Sequence, residues 1–300
     1  MPLDIIRRLL TPALDPVAVS RYPKEPPLLQ PATRGMPEVD LAACLLDGAC
    51  VDVCPTGAIE LADRAPGASG AVAVDAAAEV PESAGSAAKD SSSGSRVWSI
   101  DAGKCIFCGA CALACPNSAI AMGSRVELAA TDRGALVERG GASGLSPAAE
   151  LLRAAIAGRF GRSLHVRHLD AGSCNGCDWE IAALLNPYHD LQRLGIDFVA
   201  SPRHADLLLV TGVMTSNLAE AARRTYEAMP EPRLVVAVGA CAISGGVFAG
   251  APGCGDGVAA NLPVDVFVPG CPPRPEALIQ GMLSAIDGLR ERTRTGSVGW

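Results

Sequence analysis

Three hundred residues with 49% hydrophobic composition suffice for two domains, each with its own core. A net charge of −7 argues against a general nucleic-acid binder, so no nucleic-acid partner is expected. No apolar run reaches the ~20 residues of a membrane-spanning helix and no secretory pattern follows Met1, so the sequence reads as soluble or peripheral.

Residues 1–34 are rich in proline after a short apolar start, where Leu3, Ile5, Ile6, Leu9 and Leu10 alternate with Arg7 and Arg8. Pro12 ends any helix there. This stretch reads as an N-terminal docking arm for a partner subunit; it is short for an amphipathic foot on a membrane.

Residues 35–128 carry two related cysteine runs. Cys105, Cys108, Cys111 and Cys115-Pro116 follow the C-x2-C-x2-C-x3-C-P spacing of bacterial ferredoxins. Cys44, Cys50 and Cys54-Pro55 repeat it with Asp47 at the second station. In that scheme each cluster takes three ligands from one run and the last from the other. Cys54, Cys105, Cys108 and Cys111 then hold one 4Fe–4S cluster. Cys44, Asp47, Cys50 and Cys115 hold another, either 4Fe–4S with the Asp47 carboxylate on the fourth iron, or 3Fe–4S with that ligand lost. Disulfides would suit an exported chain. Zinc does not account for the repeated 2-2-3 spacing.

Between the runs, 63–96 is dominated by Ala, Gly, Ser and Pro and reads as a flexible insertion, since it has too little apolar surface to offset ordering. Its flanks, Ile59–Leu61 and Val97–Ile100, are expected to pair as short strands. Residues 129–150 read as a linker, with a helix starting near Pro147.

From about residue 151 to 300 the signals alternate between strand and helix. Leu164–Leu169, Leu207–Val210, Leu234–Val238 and Val264–Val268 are apolar runs; Leu218–Ala228 and Pro275–Leu289 have helical composition. The fold class expected is an α+β ferredoxin-like two-cluster domain followed by an α/β flavodoxin-like domain with a parallel sheet. Cys174, Cys177, Cys241 and Cys271 each fall just past a strand C-terminus, the edge where open α/β sheets bind ligands. Four thiolates from three loops are thus expected to converge on a third cluster, the glycines beside them allowing close approach. Cys254 follows no expected strand and reads as a free thiol. His165 and His168 read as packed or surface residues, with an outer hydrogen bond to the Cys174/Cys177 site as the alternative.

Ala171-Gly-Ser-Cys174-Asn-Gly-Cys177-Asp-Trp-Glu180, Thr211–Asn217, Val238-Gly-Ala-Cys241 and Val268-Pro-Gly-Cys271-Pro-Pro-Arg-Pro-Glu276 resemble the small subunit of membrane-associated group 4 NiFe hydrogenases of the formate hydrogenlyase type. That superfamily includes the 20 kDa subunit of complex I. The N-terminal third resembles the two-cluster polyferredoxin subunit of the same complexes, so the chain looks like a fusion. Complex I relatives usually carry adjacent cysteines at the first ligand pair, whereas Cys174 and Cys177 are spaced as in hydrogenases.

The resemblance implies an electron-transfer subunit of an oxidoreductase, with Cys174, Cys177, Cys241 and Cys271 holding the 4Fe–4S cluster nearest the NiFe site of a separate hydrogenase-type large subunit. The chain has no second C-x2-C pair of the kind that holds nickel, so it lacks the hydrogen-reacting site itself. Integral membrane subunits and a soluble redox partner or dehydrogenase are the further partners implied, on the cytoplasmic face of the inner membrane. The alternative is a complex I-like quinone oxidoreductase. A cluster-bound or zinc-bound assembly scaffold is the non-enzymatic rival.

Overall fold

The computed structural model describes residues 19–29, 32–63, 96–140 and 163–294. Chain order in the first half is β1 (Pro37–Val39), α1 (Ala49–Asp52), β2 (Ile59–Asp63), β3 (Arg96–Asp101), α2 (Ala110–Ala114), β4 (Ile120–Met122) and β5 (Val137–Arg139). The flanks of the insertion pair as the sequence predicts: β2 and β3 are antiparallel, with Ile59 opposite Ile100 and Leu61 opposite Trp98. Most of the insertion, 64–95, and the expected helix near Pro147 lie outside the described residues.

The internal repeat is visible in the backbone. Cys-Pro-x-x-Ala-Ile follows each short helix and leads into a strand, β2 after α1 and β4 after α2. Leu46 and Phe107 both have positive φ (54° and 56°), as do Gly48 and Gly109 (90° and 80°). These paired left-handed residues bracket Asp47 in one half and Cys108 in the other. Asp47 therefore stands at the same backbone station as a cysteine.

The second half contains β6 (Leu164–Asp170), α3 (Gly176–Ala183), β7 (Ile196–Phe198), β8 (Leu207–Thr211), α4 (Ser216–Glu227), β9 (Leu234–Val238), α5 (Gly239–Ser244), β10 (Val266–Val268) and α6 (Pro275–Arg294). Five strands make one sheet in the order β10-β9-β8-β6-β7, and every pairing in it is parallel. All residues of β8 and β9 are buried, as expected of central parallel strands covered on both faces. The period of two sorts them. Leu207, Leu209, Leu234, Val236 and Val238 face one way and join Leu278, Ile279, Met282 and Leu283 of α6 in one core cluster.

Leu208, Val210, Val235, Ala237 and Phe267 face the other way. They share a core cluster with Met36, Ile59, Trp98, Ile100 and the thiols of Cys105 and Cys111. One face of the sheet is thus continuous with the interior of the ferredoxin-type half. Burial at ~1.5–3 kcal/mol for each large apolar side chain holds the halves together. Two departures from the sequence reading follow. Part of the expected linker is structured: Val137–Arg139 pairs with β3, and Ala130 forms an antiparallel bridge with Phe267 of β10. Part of the expected arm packs on this chain itself, for Tyr22 is buried and its hydroxyl donates to Glu127 at 2.9 Å.

Candidate iron–sulfur sites

In the ferredoxin-type half, α1 and α2 each start at a left-handed glycine, which turns the chain so that the cysteines around it face a common space. Cys54, Cys105, Cys108 and Cys111 line one space, otherwise largely apolar. Cys44, Asp47, Cys50 and Cys115 line a second of the same character. The structure thus brings Cys54 and Cys115 across to the opposite run. The Asp47 space is therefore built from the same stations of the two runs as its counterpart.

Backbone N–H groups serve the sulfurs in matched places. Ala58 N donates to Cys54 Sγ and Ala119 N to Cys115 Sγ, both at 3.2 Å, and Phe107 N to Cys105 Sγ at 3.4 Å. Burial pushes the Cys105 thiol up to about 12 and Cys111 to about 11, with the neighbouring thiols of the same set adding to both. Burial pushes Cys50 up as well. Cys54 goes the other way: burial acts to raise it, but donors at Thr56 and Ala58 outweigh that and lower it. Asp47 is exposed, and its Oδ1 accepts from Ala49 N, two residues on, at 3.1 Å, so the carboxylate also holds the turn that leads into α1.

The third set gathers at the C-terminal edge of the sheet. Burial is the main force raising Cys177, and the charges of Cys241, Cys271 and Cys174 all add to it. Burial raises Cys241 to about 11, with Cys271 and Cys174 next. The four sequence-predicted thiols are therefore mutual neighbours. They do not come from three loops, however: Cys177 lies on α3 and Cys241 on α5, which begins directly after β9. Gly239 makes that possible, because at φ 86° a Cβ there would lie 2.8 Å from Cys177 Sγ. Cys254 also acts on Cys241, so it sits nearer this set than its sequence position suggests.

Behind α3 lies a polar network in which His168 bonds to Thr211 and Asp178, where the sequence alternative had it bond to the Cys174/Cys177 site. His168 Nε2 is 3.1 Å from Thr211 Oγ1 and 3.1 Å from Asp178 Oδ1, and Ser173 donates to Asp178 Oδ2 at 3.0 Å. Burial lowers His168 despite the pull of Asp178. His165 is turned elsewhere, with Nδ1 3.2 Å from the His204 carbonyl.

The donor sets suit iron–sulfur clusters. Each space is walled by soft sulfur ligands, with N–H donors to sulfur in the ferredoxin-type half. Trp98 borders the Asp47 space, and its indole N–H is directed at the Cys50 thiol, where it partly opposes the effect of burial. Among the described residues, no group of three or more His, Cys, Asp and Glu side chains is gathered tightly enough for a single metal ion.

Arg34 went unnoticed in the sequence, and Arg274, though part of the motif around Cys271, was given no role. A cleft of about 320 Å³ between the two halves is lined by both, together with Cys108, Phe107, Pro269 and Cys271. One cysteine from each half thus faces the same cleft, and no local sequence signal announces that.

Fold and sites together define an iron–sulfur electron carrier of the oxidoreductase class. Residues 174–285 match the family described as NADH ubiquinone oxidoreductase, 20 Kd subunit, and residues 43–119 match the 4Fe-4S dicluster domain. A probable membrane-bound hydrogenase subunit, mbhJ, of Pyrococcus furiosus is 50% identical over 130 residues, covering 43% of this chain and 78% of that protein. Formate hydrogenlyase subunit 7 of Escherichia coli is 40% identical over 47% of this chain and 55% of that protein. A subunit of the NADH-quinone oxidoreductase of Citrifermentans bemidjiense is 48% identical over 40% of this chain and 71% of that protein. The chain belongs to the NADH ubiquinone oxidoreductase 20 kDa subunit family and carries a dicluster ferredoxin-type domain ahead of it.

Proposed function

We propose that the chain is the iron–sulfur subunit of a membrane-associated NiFe hydrogenase complex, relaying electrons between a redox partner and the NiFe site of a separate large subunit. Cys54, Cys105, Cys108 and Cys111 would hold a 4Fe–4S cluster, and Cys174, Cys177, Cys241 and Cys271 another. Cys44, Asp47, Cys50 and Cys115 would hold a 4Fe–4S or 3Fe–4S cluster. Groups bound there supply one-electron storage. The residues of the chain fix the spaces, exclude water with apolar walls, and set the charge around each.

The observation that carries this reading is the shared cleft, with Cys108 on the ferredoxin-type side and Cys271 on the sheet side. It supports an order in which the Asp47 site is outermost and the Cys174/Cys177 site faces the partner. Trp179, next to Cys177 in the helix and 78% exposed, gives that partner an apolar contact. The strand order, read from β7 to β10, runs 2-1-3-4-5 within the second half and supports a flavodoxin-like domain. We assign that domain to 151–300, the ferredoxin-type domain to 35–128, and a docking role to the arm of 1–34. The complex would sit on the cytoplasmic face of the inner membrane, held by integral membrane subunits.

A complex I-like quinone oxidoreductase is the second reading, favoured by the near-equal identity to the NADH-quinone oxidoreductase relative. The Cys174-x2-Cys177 spacing favours the hydrogenase. The test is anaerobic purification with iron and sulfide analysis, then hydrogen-linked dye reduction by the complex containing the large subunit. About three clusters, hence roughly eleven or twelve irons, with hydrogen-dependent turnover are expected. About four irons with stoichiometric zinc would sink the electron-relay reading. Full iron with quinone-linked turnover only would select the second.

A further inference from the structure

The cleft between the halves is cationic, and its two arginines are tied to the two ligand loops by one short segment. Arg34 Nη1 donates to the carbonyl oxygen of Cys108 at 3.0 Å. The adjacent residue, Thr33, accepts from Arg274 Nη1 at 3.3 Å, and Arg274 stands three residues beyond Cys271. Thr33-Arg34 is therefore a strap, with one residue fastened to the loop of Cys271 and the next to the loop of Cys108.

We propose that Arg34 and Arg274 form a charge bridge that sets the reduction potentials of the two cleft-facing sites together, holding both above the potential they would otherwise have. This rests on the cluster reading of the cysteine sets. Each site gains one electron, and with it one negative charge, when reduced; no proton or bond changes hands. A fixed positive charge near a partly buried site favours the more negative state by more than it would in bulk water. Arg34 bonds to a ligand residue's own carbonyl, so its charge lies close to that site.

The two arginines are not equivalent. Arg274 Nε is buried without a hydrogen bond, and it lies 3.5 Å from Oε2 of the buried Glu276. Its charge also acts on Glu180. These carboxylates offset part of the Arg274 charge, so Arg34 has the larger effect. The outer site serves as the reference because neither Arg34 nor Arg274 lines the Asp47 space; its own nearby cation, Arg96, donates to the Leu46 carbonyl at 3.5 Å and is unchanged in every variant.

The experiment is an EPR-monitored redox titration of the full anaerobic chain and of Arg34→Gln, Arg274→Gln and Arg34→Lys, after iron and sulfide have been counted in each. Glutamine at 34 keeps a donor for the Cys108 carbonyl and removes only the charge. In Arg34→Gln, the reduced-to-oxidised ratio of the Cys108-side cluster at fixed potential should fall roughly tenfold, which is ~59 mV for one electron. Arg274→Gln should lower the Cys271-side cluster, by less. The outer cluster should stay in place in both, and Arg34→Lys should stay near wild type. Higher salt should shrink the Arg34 effect, since that side chain is exposed. Unmoved potentials at full iron, equal shifts at all three sites, or a lysine variant that behaves like the glutamine one would overturn the proposal alone. A wild-type chain short of iron would overturn the cluster reading and this inference with it.

Discussion

The hydroxyl of Ser244 lies 3.0 Å from the carbonyl oxygen of Gly103. Ser244 ends the helix that carries Cys241, and Gly103 sits in the turn just ahead of Cys105. This bond therefore joins a ligand helix of the sheet half to the turn that leads into a ligand run of the ferredoxin-type half. With the Thr33–Arg34 strap on the cleft, it fixes the spacing of the two sites from a second direction.

Cysteine replacement separates the third set from the rest. Cys177→Ser or Cys271→Ser should remove one cluster's worth of iron and stop electron delivery to the large subunit, while the ferredoxin-type EPR signals persist. Cys241→Ser should behave the same way. Cys254→Ser should leave iron content and hydrogen-linked dye reduction within about twofold of wild type, although that thiol is near Cys241. Loss of activity in Cys254→Ser with retention in Cys241→Ser would reverse the ligand assignment.

Asp47 should make its site the most labile of the three, because a carboxylate holds iron less firmly than a thiolate in this setting. Mild oxidation of the wild-type chain should give a three-iron EPR signal. In Asp47→Cys that signal should disappear and a stable four-iron cluster take its place. If neither the oxidation signal nor the substitution has any effect, Asp47 holds the turn before α1 and nothing more.

Acid should loosen the network behind Cys177. Burial, the larger cause, puts folded His168 below its ordinary 6.5, against the opposing pull of Asp178 and Asp170 and alongside Arg167. The unfolded chain therefore takes up this proton first as pH falls, and stability contributed here drops as pH passes below about 6.5. The denaturant midpoint for loss of visible cluster absorbance should fall between pH 7.5 and 5.5, with a shallower fall in His168→Gln. A steeper fall in the variant would show that another group governs the slope.

Residues 64–95 join Asp63 to Arg96, which face each other as the last pair of an antiparallel ladder. A two-residue Asn-Gly turn can close such a pair. Replacing 64–95 by that turn should leave iron content unchanged, since loop-closure cost changes slowly with length. Loss of both ferredoxin-type clusters in the shortened chain would assign the insertion a structural role.

The apolar runs from Leu207 onward and at Leu234–Val238 were legible because those central parallel strands are buried on both faces. The grouping of the cysteines was legible because thiols at 2-2-3 spacing have few other uses. Ile196–Phe198 went unseen: three residues, one of them Asp197, carry too little pattern. Cys241 was expected on a loop, since nothing local shows that a helix starts without one after β9. Arg34 is invisible in a different sense. Its importance comes from a residue seventy-four positions away, and only the folded chain brings the two together.

Ala130 and Phe267 bond reciprocally, N to O at 3.0 Å and 2.8 Å. β10 is the last strand of its sheet, and this bridge occupies part of its outer side. The ferredoxin-type half thus works as a cover for an open sheet edge as well as a source of ligands. Cut away from it, the C-terminal half would present the outer edge of Val266–Val268 open, and open edges seek other strands. Joining the two units in one chain guards the second against self-association before any partner arrives.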